Sequence, residues 1–332
     1  MKDIHSSSNL DIIDMKTESQ AIIDVLSDVL SVSKMGSSVI CEPVLPAPWG
    51  MKFEPAAKAM FHLIRRGTCL LQTNTMDQPL RLMQGDVVLI TKCNGHKLTD
   101  SKDSSVEPFR DVLERHKGTP LEDSPHDITS MLCGVYFFQN YEYNPILALL
   151  PEVIHIPAGE VQNNMQLQAL IQLILLESSR SEVGSGTAVS RFIDVMFIYI
   201  VRTWLQQQPQ GTAGWLGALN DPRIGLAIGL IHKNPSHKWT VASLASHVNM
   251  SRSSFAQKFN SLVGETPLSY LTKWRMDLSS KLLTESDQKL MTVAAAVGYD
   301  SETSFSKTFK KFKSLPPGEY RTQYRKIVLE GN

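Results

Sequence analysis

Four cysteines in 332 residues are few, and no two form a Cys-x-x-Cys pair. Zinc-finger spacing is therefore absent. No apolar run approaches the length of about 20 residues needed to span a bilayer. Met1 to Gln20 is polar and charged and lacks the apolar core of a secretion signal. A cytoplasmic protein without membrane contact is expected, with its thiols kept reduced. Net charge is missing too, since 33 Lys and Arg balance 33 Asp and Glu. That balance conceals an asymmetry. From Asp221 onward there are 16 basic residues against 9 acidic ones, which leaves 17 against 24 in the remainder. A basic end joined to an acidic end suggests that only one of them meets nucleic acid. At 332 residues there is room for two domains, each with its own core.

What is there is a repeat. Between Thr240 and Tyr320, Phe255, Phe259, Leu262, Pro267 and Tyr270 recur 50 residues later as Phe305, Phe309, Phe312, Pro317 and Tyr320. A repeat at that spacing is one supersecondary unit used twice. Each copy opens with small apolar residues (Val241 to Val248, then Val293 to Val297) and breaks at Asn249 or Gly298. Asn and Gly tolerate the positive φ of a sharp inter-helix turn. Ser251 and Ser301 then stand where an N-cap is wanted. The i, i+4 phenylalanine pairs put both rings on one helix face. The opposite face stays short and polar: Arg252, Ser253, Ala256 and Gln257 in the first copy, Glu302, Thr303 and Lys307 in the second. Such side chains suit base edges and phosphates. A plain helical bundle with a solvated face explains one copy. Two copies with matching breaks and caps favour helix-turn-helix units.

The stretch resembles the DNA-binding domain of the AraC/XylS family of bacterial transcription regulators. The resemblance is carried by Trp239 to Ala245, Met250 to Phe255, Val263 to Leu271, Trp274-Arg275-Met276, Val297 to Phe305 and Pro316 to Arg321. It implies two helix-turn-helix units bridged by a long helix and reading adjacent major-groove segments. It also implies that Ser253, Ala256 and Gln257 face bases in the first unit and Glu302, Thr303 and Lys307 in the second. Arg252 and Lys310 are the phosphate candidates. One departure is Lys313-Ser314-Leu315-Pro316, where the family has a glycine-containing turn.

Residues 37–160 read as β-rich. Met60 to Ile64, Cys69 to Leu71, Val87 to Ile90 and Met131 to Phe138 are short apolar runs, broken at Gly67, Asn74–Pro79 and Cys93–Gly95. Spacing of this kind predicts a sandwich or barrel. Ser101 to Pro125 is polar and charged and reads as a long loop. The half resembles the cupin-type sensor domain of one AraC-like group through Phe61-His62, Gly67, Leu80 to Leu82, Gly85 to Ile90, His96, Cys133-Gly134, Leu147 to Pro151 and His155 to Pro157. That implies a small barrel whose mouth holds a ligand. Cupin enzymes present a His-x-His unit, a Glu or Gln, and a later histidine. Here His62 and His96 match, but position 64 is Ile. Two histidines make a poor metal site, so no metal, cofactor or catalytic residue is expected. Hydrogen bonding within the barrel and contact with a small ligand are both open roles for the pair.

All four cysteines, Cys41, Cys69, Cys93 and Cys133, lie in this half. Small buried hydrophobe is the plain reading of each. A thiol can also serve a cytoplasmic regulator as a reversible detector. Cys93, between Lys92 and Asn94 in a turn, suggests exposure, with Cys41 and Cys133 as equal candidates. Residues 161–210 read as two crowded apolar helices, one rich in Leu and Ile from Met165 and one from Ala188 to Gln206, broken at Ser181–Gly186. Their partner is either the barrel or the same helices of a second subunit. Gln206 to Gly211 reads as a linker, and Trp215 to His232 as the first helix of the DNA-binding half.

The expected chain is α+β. It has an N-terminal tail and short helix (1–36), a cupin-like β-barrel sensor (37–160), a helical linker or dimerisation region (161–210), and an all-α pair of helix-turn-helix units (215–327). The expected function is sequence-specific transcription regulation, not enzymatic, with double-stranded promoter DNA and RNA polymerase as partners. The signal is a small molecule or oxidant, which acts only through unequal affinity for two states of the protein. A cupin metalloenzyme carrying a DNA-binding appendage, and a helical interaction protein without DNA, are the alternatives. This architecture serves activators and repressors alike.

Overall fold

The predicted short strands form and fall into two sheets. The computed structural model describes residues 25, 27–33, 35–56, 58–92, 94–119, 127–138, 146–147, 150–179, 182–208, 218–219 and 221–330. The strands are β1 (Met35–Cys41), β2 (Val44–Pro46), β3 (Gly50–Phe53), β4 (Ala59–Arg66), β5 (Thr68–Thr73), β6 (Leu80–Met83), β7 (Val87–Ile90), β8 (His96–Thr99), β9 (Glu107–Pro108), β10 (Ile128–Phe138) and β11 (Val153–Ile156). One sheet runs β1-β10-β4-β7-β11, with β2 also paired to β10, and the other runs β6-β5-β8-β3-β9. The cupin fold is thus a sandwich of two sheets that are not closed into a hydrogen-bonded barrel.

Alternation fixes the inner faces. In β5, Cys69, Leu71 and Thr73 point in while their neighbours are half-buried. Cys69 and Leu71 share one apolar core with Met51, Phe53 and Leu98 of their own sheet and Met60, Ile64, Val88, Met131, Cys133 and Val135 of the other. Strand β10 is buried on both faces, only Phe137 being exposed. A strand covered on both sides reads as a continuous apolar run, and its outer face needs a lid. That lid is helical. The Tyr136 hydroxyl donates to the Ile193 carbonyl at 3.1 Å, and Phe197 packs edge-on against both Tyr136 and Phe138.

Helices α1 (residues 27–33) and α2 (Phe109–Arg115) come first, followed by α3 (Ala158–Asn163), α4 (Met165–Ser178) and α5 (Ser185–Gln207). The expected loop from Ser101 is corrected by β9 and α2. Strand β9 pairs in parallel with β3. In α2, Val112 is buried, and the Phe109 ring stacks on Phe53 at 4.9 Å. Three apolar positions, 109, 112 and 113, outweigh the charges around them, because i, i+3, i+4 spacing gathers them on one face. Helix α5 covers the sandwich and α4 packs on α5, yet Met165, Leu173, Leu176 and Val195 stay exposed.

The second compact unit gathers the described residues of Met1–Ser33 with those from Gln208–Asn332. Its helices are α6 (Pro222–Lys233), α7 (Val241–His247), α8 (Arg252–Val263), α9 (Pro267–Glu285), α10 (Leu290–Ala296), α11 (Glu302–Lys313) and α12 (Pro317–Glu330). Val25 and Val29 of the N-terminal segment are buried, and the Asp28 carboxylate lies 3.4 Å from His232 Nδ1 on α6. Trp215 and residues 209–217 of the expected linker lie outside the described residues. Among the described residues, no helix is long and apolar enough to cross a membrane.

The turn after α11 resolves the departure seen in the sequence. Gly264 ends α8 at φ +85°, and Ser314 ends α11 at φ +63°. Serine therefore holds the left-handed geometry that glycine supplies in the first copy. A Cβ there costs about 1–2 kcal/mol, partly offset because glycine has more freedom to lose on folding. Ser314→Gly is expected to stabilise the chain by about 0.5–1 kcal/mol in urea unfolding. A loss of stability would show that this turn carries no strain.

Candidate nucleic-acid interface and sensor cluster

The two helix-turn-helix units are built by the same local devices. Thr240 caps α7 in a reciprocal box with Ser243. Asn249 turns the chain at φ +52° and Gly298 at φ +84°. The Ser251 and Ser301 hydroxyls accept from the backbone N–H groups of Ser254 and Ser304. Thr266 caps α9, with Pro267 in its first turn. Phe255, Phe259, Phe305 and Phe309 are fully buried. Their rings sit 5.6 and 5.7 Å apart within each pair. From Ser251 to Asn260 and from Ser301 to Lys310 the order of exposed, half-buried and buried positions is identical.

The expected DNA-facing residues fall on one free side of each helix. Arg252, Ser253 and Gln257 are exposed and Ala256 is half-buried; Glu302, Thr303, Lys307 and Lys310 are exposed. Not all of the basic excess in this half is available to DNA. Lys258 pairs with Asp221, the cap of α6, at 2.5 Å. Lys313 pairs with Asp277 at 2.5 Å, and both are nearly buried. The Arg275 guanidinium donates to two backbone carbonyls. Sequence reasoning did not separate these internal struts from surface charge, since their partners lie 36 to 40 residues away.

In the sandwich, four of the expected sensor residues come together. His62 on β4 and His96 on β8 are buried with their Nε2 atoms 2.9 Å apart. His62 Nδ1 lies 3.0 Å from the Cys133 thiol. Cys133 on β10 is the cross-strand partner of Cys41 on β1. Phe53 stacks on His96 at 4.5 Å. That aromatic wall was missed, because half of it, Phe109, sits in the segment expected to be a loop. Cys93 lies outside the described residues. Ile64 joins the apolar core. Among the described residues, no group of three or more His, Cys, Asp or Glu side chains is placed to hold a metal ion.

Burial sets the protonation of this cluster. It pushes His62 down to about 3 and holds His96 well below the ordinary histidine range, with the neighbouring His62 adding to the effect. Two neutral rings can share one N–H between facing nitrogens, whereas protonating either would set two donors against each other. Burial also drives the Cys69 thiol up to about 12, with Asp86 contributing. The Cys133 thiol is raised well above its usual value, by burial first and then by its hydrogen bond with Cys41. Cys41 is half-buried and borders a cavity of about 310 Å³ lined also by Glu42, Leu113, His116 and Lys117.

A sandwich with an interior polar chain, and two capped helix-turn-helix units with free polar faces, define a DNA-binding regulator with an attached cupin domain. A cupin family model matches residues 24–206, and a helix-turn-helix domain model matches residues 244–323. A Streptomyces antibioticus protein named as an AraC-like transcription regulator is 32% identical over 299 residues, 90% of this chain and 98% of that one. The transcriptional regulator AlkR of Acinetobacter baylyi is 29% identical over 91% of this chain and all of its own length. The DNA-binding domain of AdpA, solved in complex with a target DNA, is 29% identical over 30% of this chain and 91% of that one, with a TM-score of 0.30. The chain belongs to the AraC-like transcription regulators.

The depressed histidines fix a pH dependence. Unfolded, both titrate near 6.5; folded, both stay neutral far below that. Their contribution is present above about pH 6.5 and is lost as pH falls, by up to ~1.4 kcal/mol per unit for each ring. Hydrogen exchange of β4 and β10 amides in urea is expected to report a sandwich less stable at about pH 5.5 than at 7.5, by ~1–3 kcal/mol. An equal loss in the doubly substituted His62→Gln, His96→Gln chain would locate the dependence elsewhere.

Proposed function

We propose that this regulator works in the cytoplasm, is not an enzyme, and reads promoter DNA with α8 and α11 under control of a signal received in the cupin sandwich. The observation that carries the DNA reading is the repeated burial pattern, which anchors each helix by a phenylalanine pair and leaves the opposite side to the solvent. Ser253, Ala256 and Gln257 face bases in one major-groove segment, and Glu302, Thr303 and Lys307 in the next. Gln257 pairs with adenine and Glu302 accepts from cytosine. Arg252 and Lys310 hold phosphates. RNA polymerase is the further partner. The exposed Met165, Leu173, Leu176 and Val195 give a homodimer its seam.

The signal is a small molecule held near His62 and His96, or an oxidant. The cross-strand position of Cys41 and Cys133 favours the oxidant. A hydroperoxide or hypohalous acid takes two electrons from the Cys41 thiol to give a sulfenic acid. Attack by Cys133 then forms the S–S bond and expels water. The Cys133 thiol proton leaves with the displaced hydroxyl as that water, while His62, 3.0 Å from Cys133 Sγ, stays neutral. The metalloenzyme alternative gains no support from the interior, where Ile64 occupies the position of a second histidine.

Two measurements test these roles. Gln257→Ala is expected to lose about 1–3 kcal/mol of discrimination at one base, whereas Lys310→Ala weakens all sequences alike and lowers the salt slope by about one unit. Equal loss on every duplex for Gln257→Ala, or an unchanged salt slope for Lys310→Ala, would remove the residue from its role. Fluorescence anisotropy on duplex from upstream of its own coding sequence, with reduced and peroxide-treated protein, tests the signal. Oxidation is expected to change affinity in the parent and not in Cys41→Ser or Cys133→Ser. Equal affinity in both states would return the thiols to core packing and leave the small molecule as effector.

A further inference from the structure

We propose that Arg275 is a positioning residue that fixes the separation and pitch of the two DNA-reading helices. The inference rests on the reading of α8 and α11 as paired readers. Arg275 projects from the bridging helix α9. Its Nε donates to the Pro235 carbonyl at 2.7 Å and its Nη2 to the His237 carbonyl at 2.9 Å. Both carbonyls belong to the loop that leads from α6 into α7, the first helix of the first unit. On its other side the guanidinium faces the Tyr299 ring, 5.8 Å from its centroid. Tyr299 lies in the turn of the second unit, between α10 and α11.

The same junction explains Gly298. Its φ of +84° favours glycine. Independently, a Cβ there would lie 2.8 Å from the Ser236 carbonyl oxygen and 2.8 Å from Arg275 Nη2. The turn of the second unit therefore presses directly on the loop of the first, with the guanidinium wedged beside them. Lys238 and Asp300 close the junction outside at 3.2 Å. Both are exposed, so water and salt weaken that pair.

Elsewhere α9 meets the two units separately, by apolar contacts and, on the second, by the buried Lys313–Asp277 pair. The Tyr270 ring meets Phe259 of the first unit, and Met276 and Leu283 meet Val293, Phe305 and Phe309 of the second. Apolar contact has no preferred direction. A planar fork with two carbonyl acceptors does, and lysine has no equivalent geometry. Arg275 thus supplies the angular constraint. Inserting one base pair shifts and rotates one contact segment against the other. A rigid pair of helices must reject that change, and a loosened pair tolerates it.

Selection from random duplexes with the full chain tests this. The parent is expected to recover two short motifs at one spacing. Arg275→Ala should recover the same motifs over several spacings. In anisotropy, one inserted base pair should reduce parental affinity about tenfold or more and the variant's by about threefold or less. A variant that binds more weakly at every spacing while keeping the sharp preference would overturn the proposal. A parent that selects no two-part motif would defeat the paired-reader reading itself, a different result. Where Arg275→Ala melts too low to assay, Arg275→Lys keeps the charge and stem but loses the fork, and it is scored the same way.

Discussion

Burial of two phenylalanines, one helical turn apart, is the constraint on which the DNA-binding half depends. Helices α8 and α11 have 12 residues each, a length that is marginal in water on its own. Full burial of one such ring is worth about 1.5–3 kcal/mol. A pair on one face therefore does what local propensity cannot. It fixes the roll of the helix about its axis and so decides which side chains remain outside. The serine caps and positive-φ turns then fix where each helix begins. Function here is a by-product of packing: the polar face is presented because the opposite face has somewhere to go.

The sandwich meets a different constraint. Its interior strand β10 is buried on both faces, so the sheet cannot stand without α5 over its outer side. Inside, the chain from Cys133 through His62 to His96 is polar and buried. Such a chain survives in an apolar interior only when every group is neutral and hydrogen-bonded. The depressed histidines and raised thiols are two aspects of that single requirement. A detector thiol needs some access as well. Only Cys41 among the described cysteines combines partial exposure with a cavity at its side.

Much of this was legible in the residues because it is local or periodic. Caps, breaks, the 50-residue repeat and the Phe spacing all lie within a few turns of chain, and the structure honours them at Ser251, Asn249, Gly298 and Ser301. Strands β4, β5, β7 and β10 were marked by short apolar runs between turn residues. What escaped depends on distant partners. Helix α2 was hidden because its charges are local while Phe53, the ring that needs Phe109, is far away in the chain. Lys258 and Lys313 entered the basic excess unseparated from surface charge because Asp221 and Asp277 are remote. Nothing in a polar leading segment announces Asp28 beside His232. His62 and His96 were found as a pair through resemblance, whereas their contact at 2.9 Å is a product of sheet register.

The two units differ where the repeat permits it. The buried positions from each reading helix to the next are the same residue in both, Phe255 and Phe259 with Phe305 and Phe309, Pro267 with Pro317 and Tyr270 with Tyr320. Exposed positions vary outside the serines of the cap: Arg252 answers to Glu302, Gln257 to Lys307 and Asn260 to Lys310. Packing tolerates no change at the first set, since either ring's loss opens a cavity. It is indifferent to the second. The charge at the first exposed position is even reversed, so a surface attractive to a base acceptor or phosphate in one unit favours a donor in the other. If both helices read bases as proposed, they would prefer different short sequences. On the proposed reading, the DNA that suits both would be an unequal pair of segments with a fixed polarity. The repeat thus keeps the phenylalanine, proline and tyrosine anchors of each reading helix while most of the residues on its solvent-facing side change.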